Sequence, residues 1–209
     1  MLLLADDLFC LAHDSVSMKR RLSDRVVRLG LAGALLGEQV LFRRITVGGG
    51  QLRVVDERPP PDGLAHTVMD YLRAERDVTS VRDWLLFLSR DAYQLVGQRL
   101  VREGYVRVEE VRRFLRVTTT YRPVELIRVG YPEARIGKRL RAGSDLELPD
   151  IVLAGLARAT GLDAYLLKDT PPAARPFLRR LLAGLPGSLR GLIDETQAAI
   201  GDAVLNART

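Results

Sequence analysis

The sequence is poor in the residues that build redox and metal chemistry. Its 209 residues include one cysteine, Cys10, so an intrachain disulfide is impossible and a disulfide-stapled scaffold is excluded. There are two histidines, His13 and His66, and neither has a second His or Cys at the short spacings of a zinc site. Cys10 and His13 stand three apart, which a helix brings to one face. Cys10 lies inside the apolar run Leu8–Leu11, however, where a buried thiol is ordinarily inert. Structural or surface roles are therefore expected for both histidines, and an inert buried thiol for the cysteine. Lysine is scarce as well: Lys19, Lys138 and Lys168 are the only ones among 32 basic residues.

Long apolar runs are also missing. The most apolar window, Val26 to Phe42, contains Arg28, Glu38 and Gln39. Its longest uncharged stretch is Leu29 to Gly37, well short of the ~20 residues of a membrane span. The start of the chain lacks a basic region, and Asp6-Asp7 cut its apolar run, so no targeting segment and a cytoplasmic location are expected. What is present is ordinary globular composition, 47% hydrophobic and 28% charged, with a formal net charge of +6. The length suits a single domain over 1–209.

Periodicity predicts a mainly α fold, a helical bundle around a buried central helix (about 24–43) with two β-hairpins. Leu2 to Ala12 reads as a short amphipathic helix with Asp6-Asp7 on its solvent face, because adjacent side chains on a helix diverge. Ser23 or Asp24 can cap the central helix, whose Gly30, Gly33 and Gly37 point to close approach of neighbouring backbones. Its one acid, Glu38, calls for an arginine partner. Two β-rich runs flank Gly48-Gly49-Gly50 and predict the first hairpin; no phosphate-loop pattern surrounds these glycines. Ser80 to Asp83 is a capping box, and Ser89-Arg90-Asp91 breaks the following helix before a second one over 92–102 that stops at Gly104. Tyr105–Val108 and Phe114–Thr118 read as strands about a charged turn, extended to Pro123. Helices are predicted at about 125–142, 149–161, 162–168, 172–184 and 187–206. A helix followed by a hairpin occurs twice, which is how a winged-helix module ends, so a nucleic-acid-binding or protein-interaction module is the alternative reading. The small apolar residues from Gly30 to Leu36 make nucleic acid the weaker partner, since a recognition helix exposes polar side chains. No nucleophile–base pair, metal set or cofactor motif is apparent, and no enzyme activity is expected.

Several segments, in order, resemble the Golgi phosphoprotein 3 family. They are Leu2 to Phe9; Gly30-Leu31-Ala32-Gly33 leading through Glu38 to Arg43-Arg44-Ile45; Trp84; Arg99 to Val106; Thr118 to Pro123; and Asp150 to Leu167. The resemblance implies a helical fold around a buried central helix. It implies a peripheral membrane protein that binds phosphatidylinositol 4-phosphate and, in eukaryotes, serves as an adaptor for Golgi enzymes. The family's head-group positions fall on Ser23, Ala32, Arg90 and Tyr93, and Arg90 keeps the family's residue. The arginine-heavy composition and the lack of the family's basic tail point to a bacterial member, which has no Golgi.

The expected lipid head-group site is therefore Arg90, Tyr93, Ser23, Arg25 and Arg28, with Lys19, Arg20 and Arg21 close in sequence. Arg135, Lys138, Arg139 and Arg141 form a second basic cluster at helical spacing. The expected partners are an anionic, phosphoinositide-like lipid on the cytoplasmic membrane face and membrane-protein clients. Self-association through hairpin 114–123 is also expected, from its exposed edge.

Overall fold

A computed structural model describes residues 2–113 and 116–206, with the side chains of 110–119 outside that description. Among the described residues the first half comprises α1 (Leu4–Leu11), α2 (Asp24–Leu41), β1 (Ile45–Gly48), β2 (Gln51–Val54), α3 (Gly63–Ala74), α4 (Val81–Ser89) and α5 (Ala92–Arg102). The second half comprises β3 (Val106–Arg113), β4 (Arg116–Pro123), α6 (Leu126–Ala142), α7 (Leu148–Thr160), α8 (Asp163–Leu166), α9 (Ala174–Ala183) and α10 (Gly187–Leu205). The fold is mainly α with two separate two-stranded antiparallel sheets.

The central helix is where the periodicity puts it. From Val26 to Gln39 all of α2 except Arg28 is buried, and it packs against α1, α3, α4, α5, α7 and α10. Its small residues set the distance of those neighbours. A Cβ on Gly30 would lie 2.6 Å from Thr160 Cγ2 of α7, and one on Gly33 would lie 2.6 Å from Thr196 Oγ1 of α10. Both threonine hydroxyls donate within their own helices, to Leu156 O (2.8 Å) and Leu192 O (2.7 Å), so the close crossings leave no buried donor unpaired. Gly33→Val should therefore cost about 2 kcal/mol of stability through overpacking. Gly201→Ala, on the open side of α10 with nothing near its Cβ, should instead be neutral or stabilising. Urea unfolding midpoints check the pair; an unchanged midpoint for Gly33→Val would contradict the tight crossing.

The first hairpin forms as expected. Gly48 pairs with Gln51, and Gly49 and Gly50 take φ of +57° and +72°, the left-handed conformation that a two-residue turn of this hand requires. The second hairpin departs from expectation. β3 does not end at Val108 but continues to Arg113, which pairs with Arg116. The charged segment read as a turn is strand: its backbone continues the ladder to Arg113, and at Glu109 the charge is paired across it, where Arg122 Nε donates to Glu109 Oε2 (2.6 Å). Phe114 and Leu115, the expected start of the second strand, lie outside the described residues.

The placement of Asp6 and Asp7 is also corrected. Every residue of α1 is buried, so this helix has no solvent face. The two carboxylates do diverge, but each turns toward a different arginine inside the protein.

Candidate functional site

Two buried ionic centres organise the side of the bundle around α1. In the first, Arg99 of α5, 2% exposed, meets three carboxylates. Its Nε donates to Asp6 Oδ1 (2.8 Å), Nη1 and Nη2 grip Glu38 (3.0 and 2.8 Å), and Nη1 also reaches Asp62 Oδ1 (2.9 Å). The remaining capacity is used by backbone: Ala5 N–H donates to Glu38 and Ala65 N–H to Asp62, which caps α3. Burial pushes the Asp6 and Glu38 carboxyls up against the opposing pull of Arg99. Asp62 is held below its usual range, because backbone N–H groups and Arg99 outweigh its partial burial. In the second centre, Arg135 of α6 donates to Asp7 (2.8 Å) and to Asp150 of α7 (3.0 Å). Burial and the neighbouring Asp150 charge raise Asp7 to about 6, although Arg135 opposes this. Asp7 Oδ1 accepts no hydrogen bond among the described residues.

Glu38 thus has the arginine partner that its place in an apolar helix requires. Arg135, expected in a basic cluster with Lys138, Arg139 and Arg141, is instead a half-buried clamp between α1 and α7. Of its expected cluster, Arg139 donates to Asp145 O (2.9 Å), while Lys138 and Arg141 are exposed.

An aromatic layer lies beside these centres. Phe9, Tyr93 and Tyr121 pack with centroids 5.0–5.7 Å apart, and His13 stacks on Phe9 at 4.5 Å. Phe9 O can only accept, so His13 Nδ1 carries the proton toward it (2.7 Å) and Nε2 accepts from the Tyr93 hydroxyl (2.9 Å). Burial lowers His13 to about 4 and raises Tyr93 to about 12. Both imidazole nitrogens are occupied, and burial pushes the Cys10 thiol up, so the Cys10–His13 pair has no reactive thiolate.

Of the expected lipid-site residues, Arg28 touches Arg90, Ser23 and Arg25 stand near Arg28 in sequence at the start of α2, and Tyr93 belongs to this layer. Arg20 extends over the Tyr93 ring, 5.5 Å from its centroid, and pairs with Asp24. Asp24 also takes Arg28 Nε (2.8 Å), and Arg28 Nη1 donates to Arg90 O (3.2 Å). Ser23 is exposed at the N-cap of α2, and its hydroxyl caps no backbone N–H. Arg25 and Arg90 are exposed with no carboxylate within 4.0 Å among the described residues. Arg90 is the C-cap of α4, at the expected break before α5, where Asp91 takes the N-cap position. Its guanidinium lies 5.9 Å from the Phe87 ring centroid, and Phe87 and Leu86 are themselves 40% and 42% exposed. Tyr93 is half-buried with its hydroxyl engaged, so it supports the face rather than projecting from it. Exposed apolar side chains recur at the base of the second hairpin, where Ile127 is 85% exposed between Val124 and Tyr131.

These features define a helical protein with an ion-locked interior and one face that mixes unpaired arginines with exposed apolar side chains. A family model described as Golgi phosphoprotein 3 (GPP34) matches residues 4–203, and the chain belongs to that family. No curated protein matches it. None of the described helices is long and apolar enough to cross a membrane.

Arg99 was not among the expected site residues, although it organises the largest ionic centre. Two signals pointed to it. Glu38 required a cation, and Arg99 lies three residues after Val96 on the apolar face of α5.

Proposed function

We propose that this protein is a peripheral membrane protein that binds anionic lipid head groups of the phosphatidylinositol 4-phosphate type. The site is the surface formed by Ser23, Arg25, Arg28 and Arg90, with Tyr93 beneath Arg20 as support. The observation that carries this reading is the unpaired state of Arg25 and Arg90 beside the uncapped start of α2. A helix N-terminus and two free guanidiniums suit a phosphate, and Arg28 donates to Arg90 O, which ties the start of α2 to the end of α4. Leu86 and Phe87 lie alongside and would enter the head-group region while the arginines meet its charge. Membership of the Golgi phosphoprotein 3 family supports the same reading. An adaptor role toward membrane-protein clients rests on the family resemblance, and self-association through hairpin 114–123 on the edge that a two-stranded sheet leaves open; residues 114 and 115 of that hairpin are outside the described structure. The reading assigns the protein no catalytic step and places it on the cytoplasmic face of the membrane.

Co-sedimentation with vesicles of neutral phospholipid, with and without a phosphorylated inositol lipid, tests this. Binding that appears only with the phosphorylated lipid is expected. Equal, negligible binding to both would overturn the reading. Salt-sensitive binding to duplex DNA in place of vesicles would favour the nucleic-acid alternative. The burial of α2 argues against that alternative, because the helix of the first helix–hairpin unit has no face free to enter a groove.

A further inference from the structure

A cavity of about 310 Å³ opens between α7, α9 and α10, on helices that contribute nothing to the Arg25–Arg90 surface. That volume is at the lower end of sites that hold small ligands. Its floor is apolar, built from Leu182, Leu185 and Ile193; the absence of a side chain on Gly155 lets Ile193 seat against the α7 backbone. Its rim carries one arginine from each helix: Arg158, Arg179 and Arg190, all exposed. Arg190 Nη1 donates to Ala183 O (3.3 Å). None of the three has a carboxylate within 4.0 Å among the described residues, although Asp194 is also part of the lining. Elsewhere the chain pairs its arginines readily, at Asp6, Asp7, Asp24, Asp56 and Glu133 among others. Three guanidiniums around one opening repel one another, and an anion among them relieves that repulsion. The apolar floor beneath them selects an anion that carries a hydrocarbon tail.

We propose that this cavity binds an anionic amphiphile, with its carboxylate or phosphate held by Arg158, Arg179 and Arg190 and its chain lying on Leu182, Leu185 and Ile193. The ligand is a free fatty acid or a membrane lipid of the same head-group charge; the chemistry of recognition is shared.

Titration calorimetry with decanoate below its micelle-forming concentration, beside decanol and inorganic phosphate, tests the proposal, and transfer of a fluorescent anionic phospholipid from vesicles tests the second source. Decanoate should bind at one site. Arg158→Gln/Arg179→Gln/Arg190→Gln should weaken it at least about tenfold, as should Ala183→Trp at the mouth, with melting temperatures showing that both variants fold. Decanol and phosphate alone should bind at least about tenfold more weakly than decanoate, since each supplies half of the recognition. Phospholipid transfer that depends on the same three arginines would identify the membrane as the source. The proposal is overturned if neither decanoate nor phospholipid binds, if the triple variant binds them unchanged, or if decanol matches decanoate. Arg25→Glu should leave decanoate binding intact, which separates failure here from failure of the head-group reading.

Discussion

Arg99→Met lowers the free energy of unfolding by about 3–5 kcal/mol at neutral pH, the usual cost of removing one partner from a buried ion pair. The substitution roughly keeps the side chain's volume, so the loss is electrostatic rather than a cavity. It strands Asp6 and Glu38, which are 3% and 1% exposed, and takes a partner from Asp62. Burial already pushes Asp6 and Glu38 up with the arginine in place. Without it they rise further and bind protons, so the loss shrinks as pH falls from 8 to 5. Adding Asp6→Asn and Glu38→Gln to Arg99→Met should recover part of the stability, because neutral amides need no counter-charge. Urea denaturation across that pH range checks all three statements. A loss below about 1 kcal/mol would mean that Arg99 contributes no more than an exposed pair.

Asp7→Asn and His13→Gln should change the pH dependence of stability in opposite directions. Asp7 has its carboxyl raised from 3.8 to about 6 in the folded protein. Its contribution is complete below pH 3.8 and is lost as pH rises through about 6. His13 is lowered from 6.5 to about 4, because its protonated ring would be buried and would lose the hydrogen bond that Nε2 accepts from Tyr93. Its contribution is present above pH 6.5 and is lost as pH falls through about 4. Each shift spans roughly two units, or about 3 kcal/mol. The stability of Asp7→Asn minus that of wild type should therefore rise by about 3 kcal/mol from pH 4 to 6.5, and that of His13→Gln minus wild type should fall by a similar amount. The two groups oppose each other in one window, so wild type alone would not reveal either. Differences that stay flat with pH in both variants would show that neither group is perturbed by its burial.

The order of elements was legible because apolar spacing, caps and glycines agree. Ser80 caps α4 as its position before an apolar run suggests, and Gly104 ends α5 with φ +70°. The two misread segments share a cause. Asp6-Asp7 and Glu109–Arg113 are charged, and charge in a local window points to solvent or to a turn. Asp6 and Asp7 are matched by arginines 93 and 128 residues away, and Glu109 by Arg122 on the facing strand. Local pattern carries no information about such partners. Glu38 was different, because a lone acid in an apolar helix demands a cation, although the sequence could not say that Arg99 supplies it. The lipid-site residues were grouped by the family resemblance, and the structure adds how they differ. Arg25 and Arg90 are free, Arg28 is tied to Asp24 and Arg90 O, and Tyr93 is committed to His13.

The central claim is that the free arginines meet an anionic membrane surface. Its most direct test compares wild type with Arg25→Glu/Arg28→Glu/Arg90→Glu in co-sedimentation with vesicles containing phosphatidylinositol 4-phosphate. Loss of about 1 kcal/mol per arginine predicts a fall in partitioning of roughly a hundredfold, with a cooperative thermal transition retained and little binding of either protein to neutral vesicles. Equal partitioning of the two proteins onto the phosphorylated vesicles would contradict the account.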